Sequence, residues 1–255
     1  MTRLAFSLRW MIRRSALVGI AVYVMCLAGL LSVVATHLDV VVEWAKIAGL
    51  LPRQDPWVQA RIEDVLRQGE TIPDGAILFL GDSIIERMDA TAVGPGVHNL
   101  GIASLTTLTM APFLPALRPL RRARGVVLGI GGNDLGFRPR DDIVRDYSSL
   151  VAAIPVAVSL IIVGVLPMNE TDPFVRSWPA LRNANIDALN VSIRAICAAR
   201  PGCAFLWTQP FLADETGNLR DGLHAGDGRH LSAEGTRRLA EAIGAMLAQI
   251  ARAGP

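Results

Sequence analysis

Apolar residues run almost unbroken through positions 16–35, and beyond residue 55 the pattern changes to short apolar runs separated by stretches of helical periodicity. The short runs lie at 76–80, 97–100, 126–130, 156–166 and 204–207. Ile77-Leu78-Phe79-Leu80 and Val126-Val127-Leu128 are continuous rather than alternating, as expected of strands covered on both faces by helices. Five such runs alternating with helical stretches predict an α/β domain in which a five-stranded parallel sheet lies between two helical layers. Ahead of the first run, Asp55 reads as an N-cap, Pro56 as the first helical position and Gly69 as the stop, with Trp57, Ile62 and Leu66 on one face. After the last, Ser232 caps a helix whose Leu239, Ile243, Met246, Leu247 and Ile250 form one stripe. No internal repeat or low-complexity stretch interrupts the order, and a domain over 55–255 is large enough to be stable without disulfides or metals.

The long apolar run accounts for the chain's 51 % hydrophobic content. Residues 16–35 carry no charge and, as a helix, match the roughly 30 Å hydrocarbon layer of a bilayer. Their Leu, Ile and Val residues together favour insertion by roughly 4 kcal/mol. Arg3, Arg9, Arg13 and Arg14 precede the run, whereas His37, Asp39 and Glu43 follow it. The positive-inside rule then expects a single-pass anchor with a cytoplasmic basic segment at 1–15 and a juxtamembrane stalk at 36–54. The domain beyond is expected outside the cytoplasm, in the periplasm if the source is bacterial. A cleaved signal peptide is the competing reading, with Val33-Val34-Ala35 as its cleavage context. Its apolar core would be shorter than this one.

The formal net charge is +2, part of it from the leading arginines, so no nucleic-acid partner is expected. Cys26 lies in the apolar run, while Cys197 and Cys203 flank Pro201-Gly202. Too few histidines accompany them for a zinc site. In an oxidising compartment these two cysteines are candidates to pair with each other, since one ends a helix and the other opens the fifth strand.

Ligands of open α/β sheets bind beyond the carboxyl ends of the strands, and there this sequence is unusually polar. Gly81-Asp82-Ser83 follows the first strand, Asn99-Leu100-Gly101 closes the second, Gly131-Gly132-Asn133-Asp134 follows the third and Asp227-Gly228-Arg229-His230 comes after the fifth. Each alone reads as a turn or a helix cap. Together they fill the roles that acyl transfer requires: a nucleophile, a base, a group orienting the base, and donors for the developing oxyanion. Ser83 is the expected nucleophile, His230 its base and Asp227 the orienting carboxylate. The backbone N–H groups of Ser83 and Gly101 and the amide of Asn133 are the expected oxyanion donors. Asp82, Asp134 and Trp178 are the expected substrate contacts. There is no Gly-x-Ser-x-Gly elbow, no Walker-type loop and no His-Glu-x-x-His motif, which argues against the α/β-hydrolase fold, phosphoryl transfer and zinc chemistry.

As a set, these four blocks resemble those of the SGNH (GDSL-type) hydrolases, over about residues 77–235. The resemblance extends to Asn99-Leu100-Gly101-Ile102 and to His230-Leu231-Ser232-Ala233-Glu234-Gly235. It implies a flavodoxin-like three-layer α/β/α fold and hydrolysis or transfer of acyl esters without a metal or other cofactor. Relatives act on acetyl groups of carbohydrates, on fatty-acyl esters or on thioesters. The chain departs from the family pattern at Ile84, where many relatives have Leu, and at Ser104, where the glycine block often has a second Gly. The expected substrate is a small acyl ester, from an envelope glycan or a lipid. A lysophospholipase or thioesterase, an acyltransferase, and a binding module on a retired hydrolase fold are the rivals. The segment 167–182, with Phe174 and Trp178 beside Asn169, Glu170, Asp172 and Arg176, suits either a sugar or an acyl groove.

Asp221-Gly222-Leu223-His224 repeats the spacing of Asp227-Gly228-Arg229-His230. His230 is preferred because a capped helix starts just after it, whereas His224 sits in a stretch read as flexible and entrance-lining.

Overall fold

The computed structural model describes residues 55–253, together with the helical positions Tyr23, Ala28, Gly29 and Ser32. Apart from those positions, the expected membrane segment at 16–35, its basic leader and its stalk lie outside the described residues. Among the described residues no helix is long and apolar enough to cross a membrane. The chain divides between Arg53 and Gln54 into two compact units, of which the second carries the sheet.

Helix α1 spans Pro56–Gly69, with the Asp55 carboxylate accepting from the Trp57 N–H and proline in the first turn. Its buried residues include Val58, Ile62 and Val65, whereas Trp57 is 48 % exposed. The face expected from the sequence is therefore rotated. Five residues advance a helix by about 500°, which turns Trp57 about 140° away from Ile62, while Val58 and Ile62 differ by about 40°.

Five strands follow: β1 Ile77–Gly81, β2 Val97–Asn99, β3 Gly125–Gly129, β4 Ser159–Val163 and β5 Cys203–Leu206. All pairings are parallel and the order is β2-β1-β3-β4-β5. Alternate residues face opposite sides, as the pleat requires. Leu78, Leu80, Val126, Leu128, Leu160 and Ile162 enter one core with α1, α3 (Thr107–Phe113), α4 (Arg140–Ala153), α5 (Pro173–Ser177) and α6 (Asn183–Ala198). Ile77, Phe79, Val127, Ile161 and Val163 enter the other with α2 (Ser83–Glu86), α7 (Gln209–Leu212) and α8 (Ala233–Ala253). This is the expected layered sheet. Its strand order reverses between β1 and β3, and the chain leaves these two strands toward opposite edges. The crevice that opens there is where such sheets bind ligands.

The fourth strand is shorter than the apolar run at 156–166. Val156 is 66 % exposed, in the turn closed by Val158 N–H to the Pro155 carbonyl. Beyond Val163, the fully buried Asn190 side chain accepts from Val165 N–H at 2.8 Å and donates to its carbonyl at 2.9 Å. The run stays apolar because it stays buried, but an amide takes the place of the next strand.

Cys197 at the end of α6 and Cys203 at the start of β5 are bonded, with Cα atoms 5.4 Å apart. In the chain-entropy account, closing so short a loop stabilises by about 2 kcal/mol. Reduction, or replacement of both cysteines by serine, is expected to lower the urea midpoint by that equivalent. An unchanged midpoint in both cases would show that the bridge contributes nothing.

Candidate active site

The site is built at the carboxyl ends of β1 and β3. Chain leaving β1 turns at Asp82, whose carboxylate accepts from the Ile84 N–H at 3.0 Å and starts α2 at Ser83. Ser83 thereby stands at the first position of a helix, which leaves its backbone N–H unused by the helix.

His230 arrives from the segment between β5 and α8, 147 residues later, and its Nε2 lies 3.1 Å from Ser83 Oγ. The imidazole Nδ1 is 2.5 Å from Asp227 Oδ2. The other oxygen of that carboxylate, Oδ1, accepts from the N–H groups of Arg229 at 3.0 Å and His230 at 2.9 Å. A three-residue spacing thus lets one carboxylate fold the turn and orient the ring. Gly228 in this turn has φ 67°, and a Cβ there would come 2.7 Å from the Asp172 Cβ, so both conformation and space call for glycine. An ionised carboxylate only accepts, so Nδ1 carries the proton and Nε2 is left to accept from the serine hydroxyl. Partial burial pushes the Asp227 carboxyl up, but hydrogen bonds from the His230 ring and from the backbone N–H groups of Arg229 and His230 outweigh it and bring it to about 2. It is therefore ionised at neutral pH.

Asn133, after β3, donates one amide hydrogen to the Leu105 carbonyl at 3.1 Å and keeps a second for a ligand. It lines one pocket with Ser83 and His230, walled by Ile84, Ile130, Val163, Val165, Leu166 and Met168, with Arg229 beside His230.

The other expected site residues are engaged differently from the expectation. Gly101 is not a free donor: its N–H is given to Asn99 Oδ1 at 2.9 Å. Its missing Cβ makes room for α2, since a Cβ there would be 2.3 Å from Glu86 N. Asp134, expected to touch substrate, is fully buried. It accepts from Thr107 N–H, Thr107 Oγ1 and the Arg138 guanidinium, which also reaches Asp146. Burial pushes its carboxyl up against the pull of Thr107 and Arg138. Asp82 borders the pocket, but it is buried and spends Oδ1 on the helix cap. Trp178 stacks on Phe174, with ring centroids 6.0 Å apart, outside the residues that wall the pocket. His224 does not line an entrance. Its Nδ1 accepts from the Gly226 and Gly228 N–H groups at 3.1 and 3.3 Å, which knots the loop behind Asp227. Arg229 in the pocket and Thr107 and Arg138 in the network beneath it carry no signal of these places in the sequence: Arg229 fills an unassigned position between Asp227 and His230, and Thr107 and Arg138 lie outside the four blocks. At Ser104, where the sequence departs from the family's second glycine, φ is 62°, the one positive value at a non-glycine among the described residues. The adjacent Leu105 carbonyl holds Asn133, so the backbone preference that glycine would satisfy lies next to the site.

A hydroxyl, an imidazole and a carboxylate in series, with an amide donor opposite, are the parts of an enzyme that splits acyl bonds with a serine. The comparisons agree. The profile of the GDSL-like lipase/acylhydrolase family matches residues 79–238, and the chain belongs to that family. It is a carboxylic ester hydrolase. Among solved structures, a putative platelet activating factor from Streptococcus pneumonia is 20 % identical, with TM-score 0.70 over 84 % of this chain and 99 % of that one. A GDSL-like lipase from Bacteroides thetaiotaomicron is 21 % identical, with TM-score 0.58 over 76 % and 98 %. A carbohydrate acetylesterase from Sinorhizobium meliloti is 20 % identical, with TM-score 0.55 over 69 % and 99 %. No curated protein matches the sequence.

Burial, with the nearby Asp134 charge adding to it and the Ile84 N–H opposing it, pushes the Asp82 carboxyl from 3.8 to about 7. A carboxyl raised on folding contributes stability that is complete below about pH 4 and is lost as pH rises through 7. Asp82→Asn keeps the capping oxygen and removes the charge. The Tm advantage of this variant over wild type is expected to grow from near zero at pH 4 to about 10 °C at pH 8. A difference that does not change with pH would contradict the assignment.

Proposed function

We propose that the protein is a membrane-anchored, extracytoplasmic serine esterase that removes short acyl groups, acetyl foremost, from carbohydrate hydroxyls through an acyl-Ser83 intermediate. The observation that carries this reading is the relay from Asp227 Oδ2 through His230 to Ser83 Oγ at the edge of a pocket. Ser83 Oγ attacks the ester carbonyl carbon while its proton passes to His230 Nε2. The resulting oxyanion is met by the Ser83 N–H and the free amide hydrogen of Asn133. Collapse breaks the bond to the alcohol oxygen, which takes the proton from Nε2 and leaves. Water then attacks acyl-Ser83, giving its proton to Nε2, and the serine regains a proton as the acid departs.

The pocket supports a short acyl group. Its walls Ile130, Val163, Val165, Leu166 and Met168 are apolar, and the cavity between them, about 60 Å³, has room for few atoms. The carbohydrate acetylesterase among the structural neighbours agrees with this lean. For location, the support is the uncharged run at 16–35 with arginines before it and, independently, the Cys197–Cys203 bridge, which suits an oxidising compartment.

Ser83→Ala is expected to lower kcat by about 10⁴ to 10⁶, because the relay works as a unit. Asn133→Ala should cost about 10² to 10³ in kcat, the usual loss for one oxyanion donor, and a change in KM alone would make it a binding group instead. His230→Ala should match Ser83→Ala, while His224→Ala should cost about tenfold or less in turnover. The reverse ranking would move the relay to Asp221 and His224. Among p-nitrophenyl esters, acetate should be cleaved fastest, and a rate rising with chain length would overturn the short-acyl reading.

A further inference from the structure

We infer that Arg229, held over an aromatic platform, forms a subsite for an anionic group on the alcohol side of the ester. The inference rests on the esterase reading, since it names which end of the substrate lies where.

The leaving alcohol oxygen must take its proton from His230 Nε2, so the alcohol portion lies on the His230 side of Ser83. The acyl portion then takes the apolar slot at the ends of β3 and β4. Arg229 is the residue just before His230 and lines the same pocket. Its guanidinium carbon stands 4.7 Å from the centroid of the Phe174 ring. Phe174 stacks on Trp178, and Phe137 meets Trp178 edge-on at 5.3 Å. Among the described residues, no carboxylate lies within ion-pair distance of Arg229. The nearest one in sequence, Asp227, is committed to His230 and to two backbone N–H groups.

How the cation is held decides what it can do. A carboxylate partner, such as those of Arg138 and Arg182, fixes a guanidinium and cancels its charge. An aromatic face fixes it and leaves the charge in place. A positioned, unneutralised guanidinium at the alcohol side of a half-enclosed pocket is a receptor for a planar or tetrahedral oxyanion, which it meets with paired N–H donors. The fitting substrate is an acyl ester whose alcohol carries a carboxylate or a phosphate.

The test compares kcat/KM of the full chain on mono-O-acetylated glucose, glucuronic acid and glucose 6-phosphate. At about 50 mM salt at least one anionic ester should be preferred to the neutral one by about tenfold, and the preference should shrink at about 500 mM. Arg229→Gln should bring the anionic-to-neutral ratio to about one, and Arg229→Lys should keep part of it. Preference for the uronate identifies a carboxylate as the recognised group, and preference for the sugar phosphate identifies a phosphate. Equal rates on all three esters, or a preference that survives Arg229→Gln, would overturn the inference while leaving the esterase reading intact. If none of the three is cleaved in a Ser83-dependent way, the esterase reading fails and the subsite with it.

Discussion

The carboxylate of Asp227 is the point on which the site depends. One oxygen ties down the N–H groups of Arg229 and His230, and the other fixes the imidazole. The first contact closes the turn that His224 holds from behind, and without the second the ring has no fixed tautomer. Both are needed before a serine 147 residues away meets Nε2 at 3.1 Å. The serine's position is set just as locally, by Asp82 capping α2 at the end of β1. Each half is rigid because it is attached to the sheet or to a docked helix, and the parallel order brings the two halves to one edge.

Beneath this surface lies a second polar layer. Asp134, fully buried, gathers Thr107 from α3 and Arg138 from the segment before α4, and Arg138 continues to Asp146. Removing charges from water costs several kcal/mol per ion, which the many hydrogen bonds must offset. The layer joins the loop after β2 to the loop after β3, and between these same loops Asn133 donates to the Leu105 carbonyl. An oxyanion donor has value only if it is aimed before charge develops. This network supplies that fixity for Asn133 without touching substrate.

Much of this was legible in the sequence. Continuous apolar runs marked the buried parallel strands, and polar residues directly after them marked the crevice. The order Ser83, Asn133, Asp227, His230 could be read as chemistry because each residue type has a distinct role in acyl transfer. The misses share a cause. Gly101 was expected to donate its N–H, but its close approach serves the backbone of α2. Asp134 was expected at the substrate because it adjoins Asn133, yet consecutive residues after a strand point to different places. The stretch around His224 looks flexible in sequence, yet its glycine N–H groups are what the ring binds. Arg229 fills an unassigned position between Asp227 and His230, and only its place in the pocket wall over Phe174 distinguishes it from a surface arginine. In each case residue type was visible and direction was not.

Transfer of an acyl group to Ser83 can be seen by mixing the protein with p-nitrophenyl acetate, quenching in acid within the first turnovers, and mapping the added acetyl group by peptide mass spectrometry. One acetyl group is expected on the peptide containing Ser83, absent when His230 is replaced by alanine. Turnover with no acetyl on Ser83, or with the label on another hydroxyl or on an imidazole, would contradict it.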